Sequence, residues 1–131
     1  MSLTSGESRS FTSEKLERGG RLYTQHCAGC HGIAAQGVPG WQEKGADGRF
    51  GSPPLNGTGH AWHHSEKSLK LVIQNGMIKF GGSMPPFGDK LAEEEVDALF
   101  SWMISLWPDE IYNHWREREN KPPAKGNKKA L

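Results

Sequence analysis

The sequence is short of the side chains that normally fill a protein interior. Leu, Ile, Val and Phe together supply only 23 of its 131 residues, below the roughly one-fifth share under which a chain begins to look disordered. Disorder of that kind goes with high net charge, yet the formal net charge here is +1. The other explanation is that something besides side chains fills part of the core. Long apolar runs are also missing. Nowhere do about 18 apolar residues follow one another, so no segment reads as a transmembrane helix. The balance of 16 basic against 15 acidic residues lacks the basic excess of a general nucleic-acid binder. Only the last stretch is one-sided: residues 120–131 carry Lys121, Lys125, Lys128 and Lys129 and no acid, which reads as a solvated tail. Segments of strand period and internal repeats are absent as well. At this length the chain fits one domain with a tail left over.

What is present is helical pattern separated by long loops. Residues 1–11 read as a flexible leader; Met1–Ser10 is polar, without the apolar stretch of a signal peptide. It looks like the start of a mature or truncated chain given a new initiator Met. A first helix is expected over Ser13–His26, capped by Thr12 or Ser13, with Leu16, Gly19, Gly20, Tyr23 and Cys27 at three- and four-residue spacing. Two glycines inside a helix cost roughly 1 kcal/mol each relative to Ala, so a close helix–helix approach is the expected reason for them. More than 30 residues of Gly, Pro and polar side chains then run from Gly32 to about His64. So long a loop is unusual in a compact domain unless it wraps a cofactor. A second helix should start after Ser65, present Leu69, Val72 and Ile73 on one face, and stop near Asn75-Gly76. Met77–Lys90 reads as loop. The third helix has the clearest period, Val96, Leu99, Phe100, Met103 and Trp107, with Glu93, Glu94 and Glu95 in its first turn and Pro108 closing it. Asp109 to about Glu119 has room for one more short helix. The division that follows is a leader over 1–11, a domain over 12–107 and a C-terminal extension over 108–131.

The chemistry is concentrated in Cys27-Ala28-Gly29-Cys30-His31. C-x-x-C-H is the pattern of covalent c-type haem attachment. Two thiols at this separation can add to the two vinyl groups of a porphyrin, and the next residue then aims an imidazole at the iron from one face. Three other readings exist. A dithiol redox site normally sits beside a βαβ pattern, and strands are missing here. A zinc site lacks a second cysteine pair and would need scattered histidines. A disulfide between Cys27 and Cys30 would close too short a loop to stabilise much. Haem attachment is the reading the motif favours, and a haem would also explain the thin side-chain core.

Around that motif, residues 13–107 resemble the class I cytochrome c family. Gly19 and Tyr23 stand eight and four positions before the first cysteine, where the family carries a small residue and an aromatic. The stretch Leu91-Ala-Glu-Glu-Glu-Val-Asp-Ala-Leu-Phe-Ser-Trp-Met-Ile-Ser-Leu106 is similar to the family's last helix, with Trp102 in the aromatic place. Ala92 departs from it, since a Ser, Thr or Asp cap is usual there; the missing cap would cost about 1 kcal/mol. Pro53-Pro54-Leu55-Asn56-Gly57 resembles the family's P-x-L-x-G segment. The resemblance implies an all-α fold of three main helices and long loops wrapped around one covalently bound haem c. It implies that Trp102 packs across the first helix at its glycine, that the Pro53 carbonyl accepts a hydrogen bond from His31, and that Leu55 packs on the proximal haem face. It also implies export, with the chain working in the periplasm or another extracytoplasmic space.

The sixth iron ligand is expected to be Met84. Met103 falls on the apolar stripe of the third helix and Met77 suits packing, whereas Met84 sits on a loop punctuated by Gly and Pro. Its Met84-Pro85-Pro86-Phe87 run, followed by Leu91, resembles the family's axial-methionine loop, and Pro85 stiffens the chain there. The rivals are His60, His63 and His64; His26 and His114 are less well placed. Trp41, Arg49, Trp62 and Lys79 are candidate partners for the haem propionates, because buried carboxylates require donors. An iron held by His31 and Met84 has no open position, so the expected function is electron transfer rather than enzymatic catalysis. The chain would be a carrier, or an electron-carrying domain of a larger membrane-associated respiratory complex, and would meet redox partner proteins through small transient interfaces. A ligand-binding, sensor or peroxidase-like haem with a displaceable sixth ligand is the alternative.

Overall fold

A computed structural model describes residues 11–120 apart from 81 and 83. The expected leader, Phe11 excepted, and the basic tail beyond 120 lie outside the described residues. Among the described residues five helices follow in order: α1 Ser13–His26, α2 Ala28–His31, α3 Glu66–Asn75, α4 Glu93–Ser105 and α5 Asp109–Asn120. Single 3-10 turns occupy Ala61–His63 and Ile78–Phe80. Among the described residues there is no strand, only an isolated bridge between Lys44 and Phe50, so the class is all-α as the sequence implied.

Each main helix begins and ends for a local reason. The Thr12 hydroxyl accepts from the Lys15 N–H at 3.1 Å and starts α1. The Ser65 hydroxyl does the same for Ser68 on α3, also at 3.1 Å. Ala92 has no side chain to offer α4, yet the Glu95 carboxylate reaches back to the Ala92 N–H at 2.8 Å. Half of a capping box therefore survives the alanine. Gly76 ends α3 with φ +74, and a β-carbon there would lie 2.7 Å from the Met84 carbonyl oxygen. Glycine thus supplies both the backbone conformation and the clearance that bring the Met84 loop back against the helix.

The frame is the crossing of α1 over α4. At Gly19 the two backbones are so close that a β-carbon would strike the Ala98 carbonyl oxygen and stand 2.8 Å from Trp102 Cβ. One turn further on, Tyr23 stacks on Trp102 with ring centroids 4.5 Å apart. The helix glycine and the helix aromatic are thus one packing device. On one side of α4, Val96 and Leu99 join Tyr23, Cys27, Ala35, Ile73, Phe87 and Leu91 in a first apolar cluster. On the other, Phe100, Met103, Ile104 and Trp107 join Tyr112 and Trp115 of α5 in a second. That second cluster explains why α4 buries Ile104 as well as its predicted stripe. Residues 109–120 form the expected short helix, and its Trp115 is fully buried. Charges tie the outer faces together: Asp97 on α4 takes Lys15 of α1 at 2.5 Å and Lys70 of α3 at 2.9 Å, and Lys70 also holds Glu66 at 2.8 Å.

Candidate haem-binding site

The site begins where α1 gives way to α2. The Cys27 N–H closes α1 on the Tyr23 carbonyl, and His31 N–H then bonds the Cys27 carbonyl at 2.9 Å. This tight succession turns Cys27 inward and leaves Cys30 exposed. Burial, then the neighbouring Cys30, pushes the Cys27 thiol up to about 11. That direction is opposite to the lowered thiol pKa by which a reactive cysteine is recognised. Nor, among the described residues, do three side chains of His, Cys, Asp or Glu converge as metal ligands, which leaves the zinc reading without a ligand set.

His31 is 7% exposed. Its Nδ1 lies 2.8 Å from the Pro53 carbonyl oxygen, a contact that requires the proton on Nδ1 and leaves the Nε2 lone pair available. Among the described residues nothing of the protein bonds Nε2. Burial lowers the His31 pKa and outweighs the opposing effect of the Pro53 bond, which favours the neutral, ligating form. A buried imidazole with one nitrogen fixed and the other unsatisfied fits an axial haem ligand.

The loop after His31 and the segment around Pro53 are zipped together. Gly37 N–H bonds the His31 carbonyl at 2.6 Å, Val38 N–H bonds Ser52 O at 3.0 Å, and Leu55 N–H bonds Ala35 O at 2.8 Å. Tyr23 adds a bond from its hydroxyl to the Gly32 carbonyl at 2.5 Å; burial and then the Cys27 thiol push that phenol up to about 12. Leu55 and Met84, both part-buried, pack against the apolar cluster that contains Cys27. The Met84 loop is closed at its base by the Met77 N–H on the Met84 carbonyl, 2.9 Å. Arg49 reaches the same loop, its guanidinium donating to the Gly82 carbonyl.

The other candidate histidines make contacts with neighbouring rings. His60 lies edge-on to Trp41 and next to His63, and His63 stacks on Trp62 at 4.1 Å. His114 of α5 meets Trp62 edge-on, and His26 meets Phe87. Burial first, then His63, Arg118 and His60, lowers the His64 pKa. Lys79 is exposed on the turn over Ile78–Phe80. One contact escaped the sequence reading altogether. Trp107, placed there on the α4 stripe, donates its indole N–H to the Leu55 carbonyl at 2.9 Å, across 52 residues. No local pattern could have announced it.

The C-x-x-C-H motif, a pinned imidazole and an all-helical frame with little aliphatic core fit the monohaem c-type cytochrome domain that the family match shows. Comparison with known proteins names the group more closely: the chain belongs to the family described as cytochrome c oxidase, cbb3-type, subunit III, whose model matches residues 14–103. The cbb3-type cytochrome c oxidase subunit CcoP of Azospirillum sp. (strain B510) is 29% identical over 92 residues, covering 70% of this chain and 29% of that protein. Subunit FixP of Sinorhizobium medicae (strain WSM419) is 29% identical over 97 residues, 70% of this chain and 30% of its own length. A nitrite reductase of Stutzerimonas stutzeri is 29% identical over 105 residues, 76% of this chain and 17% of its own. The chain thus spans less than a third of the length of these relatives. Among solved structures, cytochrome cL of Methylophaga aminisulfidivorans MPT superposes with a TM-score of 0.56 at 22% identity, covering 88% of this chain and 71% of that one. That likeness concerns the fold.

Proposed function

We propose that this chain is an electron-transfer domain in which Cys27 and Cys30 hold one haem c, His31 is the proximal iron ligand and Met84 the distal one. The observation that carries the reading is the buried His31, with Nδ1 committed to Pro53 and Nε2 without a protein partner among the described residues. The bound haem supplies the redox couple, its iron passing between Fe(II) and Fe(III). The chain's own residues do the rest. Pro53 fixes the tautomer and direction of His31, Leu55 packs against the cluster that contains Cys27, and the glycine at 76 lets the Met84 loop return over that cluster. Thioether ligation favours the ferrous state, so His/Met ligation raises the potential above that of a bis-histidine site.

A haem held by both His31 and Met84 would offer a substrate no place on its iron, so the domain would be a carrier rather than an enzyme. Since the relatives CcoP and FixP are subunits of cbb3-type oxidases, the setting we propose is a respiratory, membrane-associated assembly. The domain would lie on its extracytoplasmic side and receive and pass electrons through small, transient contacts with redox partner proteins. Among the described residues no helix is long and apolar enough to cross a membrane. Carbon monoxide added to the reduced holoprotein at neutral pH tests the proposal. A spectrum unchanged by the gas is expected; ready binding would overturn it in favour of a ligand-binding or peroxidase-like haem.

A further inference from the structure

We propose that Trp107 is a positioning residue for the haem ligand His31, acting through the backbone of the Pro53–Leu55 segment. The proposal rests on the reading of His31 as the proximal ligand. The carbonyl that orients His31 belongs to Pro53, and Leu55 stands two residues further on. Neither Pro53 nor Pro54 has an N–H, so neither can anchor this stretch by donating a backbone hydrogen bond. Leu55 carries the anchoring in both directions. Its N–H donates to Ala35 O at 2.8 Å on the side of the His31 loop, and its carbonyl accepts the Trp107 indole N–H at 2.9 Å on the other. One side of this clamp is local to the haem-attachment loop; the other lies just past the end of α4.

Trp107 is itself held from behind. It is 2% exposed, and Trp115 of α5 meets its ring edge-on at a centroid separation of 5.4 Å. The Trp115 N–H is engaged on the His64 carbonyl at 2.8 Å, and the Arg116 guanidinium lies 4.6 Å over the Trp115 ring. A line of contacts therefore runs from α5 through the buried Trp115 and Trp107 to the Leu55 carbonyl, and from there along two peptide units to the oxygen that faces His31 Nδ1. Through this line α5 sets the strength of the Nδ1 hydrogen bond. A stronger bond gives the imidazole more imidazolate character, favours Fe(III) and lowers the potential; a looser one raises it.

The test replaces the N–H while keeping the ring, in the holoprotein: Trp107→Phe, and in parallel benzothienylalanine at 107, which matches indole in shape and has no N–H. Three quantities are read: the solvent exchange of the His31 Nδ1 proton by nitrogen-labelled NMR of the reduced form, the reduction potential, and the melting temperature. Met103→Leu, in the same apolar cluster but outside the clamp, is the control for mere loosening. The expected result is Nδ1 exchange faster by about fivefold, the factor that one ordinary hydrogen bond commands, together with a higher potential. Met103→Leu should change the melting temperature alone. Exchange and potential equal to wild type in the benzothienylalanine protein, with the Nδ1 resonance still that of an iron-bound histidine, would overturn the positioning role and leave the electron-transfer reading standing. A wild-type His31 resonance without the signature of iron ligation would instead sink the reading beneath it.

Discussion

Gly19 of α1 and Ala98 of α4 touch backbone to backbone: a β-carbon at 19 would strike the Ala98 carbonyl oxygen. Neither atom belongs to a movable side chain, so the crossing can admit a methyl group only by separating two helices. Gly19→Ala should therefore destabilise the holoprotein by at least about 1–3 kcal/mol, the usual range for overpacking. Gly20 is the internal control. A β-carbon there meets the Trp102 indole Nε1 at 2.9 Å, the far end of a half-buried side chain. The roughly 1 kcal/mol that Ala gains over Gly in a helix offsets moving that ring, so Gly20→Ala should stay near neutral. Chemical denaturation of the two variants decides it.

The acid stability of the fold should depend on Asp97. Burial alone would raise its pKa, but hydrogen bonds from Lys15 and Lys70, with their positive charges, bring it below the ordinary value of 3.8. A carboxylate whose pKa is lower folded than unfolded contributes stability above its unfolded pKa and loses it as pH falls through the folded one. The pairs are partly exposed, so the contribution is on the order of 0.2–1 kcal/mol. Asp97→Asn should melt slightly earlier than wild type at pH 7. The two curves should converge as the pH drops below about 3.8, and a difference that persists there would contradict the assignment.

Trp115 is the part of α5 on which the second cluster turns. Fully buried, it packs on Phe100, Trp107 and Tyr112 and donates to His64. Trp115→Ala should cost about 3–5 kcal/mol, as large-to-small changes in a packed core do. Thermal melting of the holoprotein measures it.

Ala92 offers a gain instead of a loss. It has the extended backbone of an N-cap, φ −72 and ψ 163, and Glu95 already completes half of the capping box. Ala92→Ser should add the other half and stabilise by roughly 0.5–1 kcal/mol, seen as a raised melting temperature with an unchanged reduction potential.

Much of this architecture was readable from local chemistry. Thr12, Ser65, Gly76 and Pro108 mark helix ends because capping and φ are decided within four residues, and the stripe on α4 follows from its period. Gly19 and Trp102 were readable as one device only through the family resemblance, since a helix crossing leaves no local trace. What stayed hidden is long-range. Trp107 and Trp115 are eight residues apart, but Pro108 and the start of a new helix lie between them, so no single helical face links them; yet they pack together and reach Leu55 and His64. Across the His60–His64 stretch, residue type offered rivals to Met84 but nothing about their packing. In the fold its rings pack on Trp41, Trp62 and one another, while Trp115 and Arg118 of α5 hold the carbonyls of His64 and Trp62.

Ligation of the iron by Met84 opposite His31 is tested most directly by the absorption spectrum of the oxidised holoprotein. A weak far-red band from thioether-to-iron charge transfer is expected in the wild type, and its loss in Met84→Ala. An oxidised wild-type protein without that band, or a Met84→Ala protein that keeps it, would contradict the assignment.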